Sequence, residues 1–181
     1  MRFLFFGAVL ASATASANPA TIPDTAPVRV KLEAKISRAS CMATQAMNAI
    51  PRNRVDIPRL EAATAPAFRM LDEIAIEGDA KATLIAQRTK ADLYVAMAVR
   101  ARNSVPALSP TTTGTFVLAL HDALHDQLEA DVQPWLDHAT AGYQAVAAIG
   151  NHHPELDDAV VRTAMRESEQ ALGTTPQTAL R

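Results

Sequence analysis

The sequence predicts an all-α fold, a single up-and-down bundle of five or six helices behind a cleaved signal peptide. Three observations carry this prediction. Apolar residues recur three and four apart through most of the chain, prolines and glycines fall between those runs, and no convincing strand or hairpin pattern interrupts them. Short connections between successive helices favour antiparallel neighbours.

Residues 1–17, MRFLFFGAVLASATASA, carry one arginine, an apolar run from Phe3 to Leu10, and an A-x-A pattern at Ala15-Ser16-Ala17. Cleavage is expected after Ala17, with export to the periplasm or beyond. The apolar run falls short of the roughly 20 residues that a membrane helix needs, and no later stretch approaches that length, so no membrane span is expected. Cys41 is the only cysteine and lies far beyond the cleavage region. In an oxidising compartment it is a free thiol or pairs with another chain in an intermolecular disulfide.

Residues 18–27 hold three prolines and read as an extended tether, and residues 28–173 as one helical domain. In the first helix Leu32, Ile36, Ala39, Ala43, Ala46 and Ile50 form a seam that Pro51 ends. Asp56 is placed to cap a second helix with Pro58 near its start. Thr64 and Pro66 suggest a fresh start or kink, followed by an apolar stripe at Phe68, Leu71, Ile74 and Ala75. Whether Ala65 to Asn103 is one bent helix or two, split at Gly78-Asp79, is left open by pattern alone. Leu93 to Val99 is apolar on every side, as a central helix is.

Arg102 to Thr113 reads as the longest internal loop. After it, Thr115 to Asp131 is expected to turn Val117, Leu120, Leu124 and Leu128 toward the core. Asp131 then falls on the apolar side, a conflict relieved if it caps a new helix with Pro134 in its first turn. That helix carries Trp135, Ala139, Gly142, Val146 and Ile149 on one seam, with Gly150-Asn151 as its stop. Core packing accounts for Trp135 more readily than ligand stacking. Pro154 opens a last helix with Leu156, Val160, Ala164 and Ala171 inward and Asp158, Arg162 and Arg166 paired outside. Gly173 ends it, leaving a frayed tail at 174–181.

Charge is distributed unevenly. Residues 18–110 hold 13 Lys and Arg against 9 Asp and Glu, whereas residues 111–181 hold 3 against 10. No Lys or Arg occurs from Asn103 through Val161, an interval that contains all five histidines. An overall charge of -2 gives no support to nucleic-acid binding. Side-by-side packing of a basic and an acidic half explains the asymmetry without a ligand. Arg29, Lys31, Lys35, Arg38, Arg52, Arg54 and Arg59 make an alternative patch for an anionic surface, although they fall on different helix faces.

The one chemically suggestive cluster is His121, His125 and Glu129, spaced four apart on the face adjoining the leucine stripe. Two imidazoles at i and i+4 make a half-site for zinc, copper or nickel, with further ligands required from His138, His152 or His153. An HExxH arrangement, a GxSxG elbow and a glycine-rich phosphate loop are all missing from the sequence. The expectation is therefore a non-catalytic periplasmic protein that binds another exported protein and needs no cofactor. A metal-binding protein built on His121, His125 and Glu129 is the alternative, and a small enzyme with a site assembled from several helices the third.

Overall fold

The computed structural model describes residues 26–51, 56–77, 79–105 and 114–174. The expected signal peptide, nearly all of the tether, Arg52 and Arg54, and the tail beyond Thr174 lie outside the described residues. Those described form an all-α bundle without strands: α1 (Ala26–Ala49), α2 (Ile57–Ile76), α3 (Ala80–Arg102), α4 (Thr115–His152) and α5 (Ala159–Thr174). None of these helices is long and apolar enough to cross a membrane.

The first helix buries Leu32, Ile36, Ala39, Ala43 and Met47, and Ile50 just past its end is buried as well, so Met47 fills the seam position that Ala46 only borders. At the start of α2, Asp56 Oδ1 accepts the Arg59 backbone N–H at 2.8 Å, satisfying one of the donors that a helix end leaves free. The helix runs through Pro66 without a break and buries Leu60, Leu71 and Ile74. Ala65 to Asn103 proves to be two helices, because Asp79 Oδ1 caps α3 through the Ala82 N–H at 2.7 Å. α3 touches all four other helices and buries Leu84, Leu93 and Met97, as expected of the central element.

The fourth helix departs from expectation in two ways. It is a single helix of 38 residues that passes through Asp131 and Pro134. Asp131 is exposed and takes the Gln127 amide at 2.9 Å, so solvent removes the conflict and no new cap is needed. Val117, Leu120 and Leu124 are not core residues either: they are 45%, 51% and 53% exposed, and of the stripe only Leu128 packs against the core.

Length explains both. At 1.5 Å per residue α4 extends about 57 Å, whereas the 23-residue α3 beside it extends about 35 Å. The two run in opposite directions, with Arg102 at the end of α3 meeting Glu129 and Asp92 meeting Tyr143. Residues before Leu128 therefore project past the end of α3 as an arm. Beyond it, α4 buries Val132, Trp135, Ala139, Gly142, Tyr143 and Val146 in the bundle. Gly142 allows the close approach, since a Cβ there would lie 3.0 Å from the Ala91 Cβ and 3.3 Å from the Gln87 carbonyl.

The last helix starts at Ala159 rather than near Pro154. Asp158 Oδ1 accepts the N–H groups of Val160 and Val161, both at 2.9 Å, and so fixes the first turn. Val161 faces inward at 1% exposure, with Ala164 and Ser168 on the same side, while Val160 is 55% exposed. Asp158 also reaches Lys81 at 2.7 Å instead of pairing along its own helix, and Arg162 pairs with Asp157.

The charge asymmetry has a structural counterpart. Lys81, Arg88 and Arg102, all on α3, meet Asp158, Glu167 and Glu129 of the acidic half at 2.7, 2.9 and 2.5 Å. Partly exposed pairs of this kind each contribute about 0–1 kcal/mol, so they align the halves more than they stabilise them.

Candidate functional site

His121 and His125 lie one turn apart on the side of the arm that carries Glu129, and both are half-buried. Their ring centroids are 4.6 Å apart at an interplanar angle of 56°. Glu129 does not converge with them on a shared point. Arg102 Nε and Nη2 hold its two oxygens at 2.8 and 2.5 Å, and this bidentate pairing keeps the carboxyl below the usual carboxylate range. The other histidines are dispersed. His138 stacks on Tyr94 with 5.1 Å between centroids, His152 Nδ1 lies 2.7 Å from the Ala148 carbonyl, and His153 Nδ1 lies 2.8 Å from Glu155. Among the described residues no three His, Cys, Asp or Glu side chains gather as a metal-ion cluster.

The arm shows a different feature, which the expected inward stripe concealed. Phe116 is 79% exposed and continues the surface formed by Val117, Leu120 and Leu124, with the exposed Ala119 and Ala123 beside them. On a helical projection these residues span roughly half the circumference. Asp122 and Asp126 border that face along one edge, and Asp131 lies at its bundle end. No lysine or arginine lies on α4 to interrupt it.

Nearer the middle of α4, a groove of about 360 Å³ opens between α2, α3 and α4. Phe68, Tyr94, Trp135 and His138 line it together with Glu61 and Asp72. Phe68 and Tyr94 have centroids 4.5 Å apart, which extends the Tyr94–His138 stack along the wall. Trp135 is 3% exposed, and its indole Nε1 donates to Glu61 Oε1 at 3.1 Å. Trp135 is thus a core residue, as expected, whose edge also borders the groove. Comparison with protein-family models, curated proteins and solved structures finds no match.

The remaining chemically distinctive groups have structural partners. Arg88 forms bonds to both Asp92 oxygens at 3.0 Å, reaches Glu167 at 2.9 Å, and lies 5.9 Å from the Tyr143 ring centroid. Burial first, and then its hydrogen bond to Asp92, raise the Tyr143 phenol far above its usual range. Of the basic residues near the amino terminus, Lys35 is occupied by Glu77 and Glu73 at 3.0 and 3.1 Å. The Cys41 thiol is exposed and accepts the Gln45 amide at 3.3 Å. The groove residues come from helices separated by long stretches of sequence, and their only advance signal was the inward placement of Phe68 and Trp135 in a chain with 4% aromatic residues.

Proposed function

We propose that this chain is an exported, non-catalytic helical protein, an up-and-down bundle following a cleaved signal peptide, that binds another exported protein through the arm of α4. The apolar surface of the arm carries this reading. Contiguous exposed apolar surface on a folded domain commonly marks a site of protein association, because covering it removes that area from water. The acidic border defines the partner's chemistry: an apolar helix or sheet face edged by Lys or Arg, steered to the arm at low ionic strength.

A photo-crosslinking residue in place of Ala123 tests the reading in the exporting cell. A discrete adduct with a second protein is expected, with the yield falling as salt rises and lost in the Leu120→Glu, Leu124→Glu double variant. Adducts only between copies of this chain, or an adduct that the double variant leaves unchanged, would refute heterologous binding by this face.

A metal-binding role through His121, His125 and Glu129 is the second reading, favoured by the juxtaposition of the two imidazoles on one helix face. In this reading two imidazoles supply the borderline ligands suited to zinc, copper or nickel, and Glu129 exchanges Arg102 for the metal. Calorimetric titration of the protein without a histidine tag should show one equivalent that His121→Ala with His125→Ala abolishes; unchanged binding in that variant excludes the site.

A further inference from the structure

We propose that the groove between α2, α3 and α4 binds a small organic cation, an alkylated ammonium with short apolar substituents, against its aromatic wall and the carboxylate of Glu61. The wall supplies the first argument. Phe68, Tyr94 and His138 form a consecutive series of ring contacts, and Trp135 packs beside them. Tyr94 is stacked between Phe68 and His138, and Trp135 is 3% exposed, so the attraction of ring quadrupoles for a positive charge falls to Phe68 and His138 at the two ends of the series, whereas a neutral ligand of the same shape gains only contact area.

Charge supplies the second argument. Glu61 receives the indole N–H of Trp135 on one oxygen and has no ion-pair partner among the described residues. Its exposed carboxylate is therefore held at the wall without a cationic side chain paired to it among the described residues. Asp72, the other acid of the groove, is paired with Lys90. The phenol of Tyr94 responds to this environment: burial, followed by the negative charges of Asp72 and Glu61, raises it above its usual range. Arg69 also lines the groove but lies eight residues along α2 from Glu61, about 12 Å by helical rise, so the Glu61 end is the acidic one. A mostly apolar concavity with a few fixed polar groups is the form that small-molecule sites take.

This surface differs from the arm of α4, and the two proposals fail independently. The test titrates purified protein with choline and, separately, with its neutral carbon isostere 3,3-dimethylbutan-1-ol at constant ionic strength. Trp135, the only tryptophan, reports occupancy by its fluorescence. Choline is expected to give a saturable change with affinity about tenfold above that of the alcohol. Glu61→Gln retains an acceptor for the indole and is expected to weaken choline several-fold while leaving the alcohol unchanged, so that only the share due to the rings remains, with the circular dichroism spectrum unchanged. His138→Ala, at an exposed position, should weaken choline while preserving the Glu61–Trp135 bond. Equal affinities for the two probes, a Glu61→Gln variant that binds choline as tightly as the wild type, or no saturable response to choline would overturn the proposal.

Discussion

Replacing Leu71 and Leu124 by alanine, one at a time, tests the division of the molecule into bundle and arm. Leu71 is 0% exposed in the core of α2, and Leu124 is 53% exposed on the arm of α4. Truncation of a fully buried leucine loses its transfer free energy and leaves a cavity, together about 2.7–5 kcal/mol. No comparable cavity forms at Leu124. Its partial loss of contact is offset by the higher helix propensity of alanine, and the expected change is within about 0.5 kcal/mol. Urea unfolding at low protein concentration, followed by Trp135 fluorescence and far-UV circular dichroism together, measures both. In thermal unfolding each kcal/mol corresponds to roughly 2–4 °C in a domain of this size. A Leu124→Ala cost above about 2 kcal/mol would refute the reasoning, because it would place this leucine in the core that the stripe alone predicts.

Acid should loosen α5 through Asp158. Lys81, followed by the Val161 N–H, holds this carboxyl below its ordinary value of 3.8. Its contribution is therefore complete above that ordinary value and is lost as pH falls through the lower value of the folded state. Asp158→Ala should cost about 1 kcal/mol at neutral pH, chiefly as a lost cap because the side chain is 45% exposed, and the gap from wild type should narrow below about pH 4. A gap that stays constant from pH 7 to pH 2 would refute a role for the ionised carboxylate. At the α3–α4 contact, Gly142→Ala meets Ala91 and the Gln87 carbonyl, neither of which can yield alone. Overpacking of about 1–3 kcal/mol should exceed the roughly 1 kcal/mol gained in helix propensity. At Gly150 the obstruction is the flexible thioether of Met165, so Gly150→Ala should be the more stable of the two variants. The reverse order in urea unfolding would show that the helices are not held close at Gly142.

Much of the helical layout was legible because it depends on neighbours in sequence. The seam of α1, the Asp56 cap and the run from Trp135 to Val146 follow from local spacing, and so does the central place of α3, although within Leu93 to Val99 only Leu93, Met97 and Ala98 are buried and Val99 is 47% exposed. The arm was not legible for a definite reason. Periodicity identifies the residues that share a helix face, but whether another helix reaches that face depends on relative length and position. Val117, Leu120 and Leu124 satisfy the pattern of a buried stripe, yet α3 ends at Arg102 before it can cover them. On α5 the buried face runs through Val161, Ala164 and Ser168, so Ala164 is inward as its spacing indicates while Val160 lies beside that face and is exposed. Spacing also identified the His121–His125 pair, but the commitment of Glu129 to Arg102 required knowledge of where α3 ends. The groove was the least accessible feature, since Glu61 and Trp135 are 74 residues apart in sequence and meet only through tertiary packing.

The length of α4 makes one helix behave as two in solvent exchange. Amides from Val132 to Gly150, Pro134 aside, are expected to exchange only when a large part of the molecule opens, and those of the arm by local fraying. Pro134 marks the change, because it has no amide proton and leaves the Ala130 carbonyl without its helical donor. A free helix of about 14 residues is marginal in water, so the arm keeps its shape chiefly by growing from an already formed helix, which spares it the cost of nucleation. A bound partner would slow exchange in the arm far more than in the bundle, and part of the binding free energy would be consumed in ordering it.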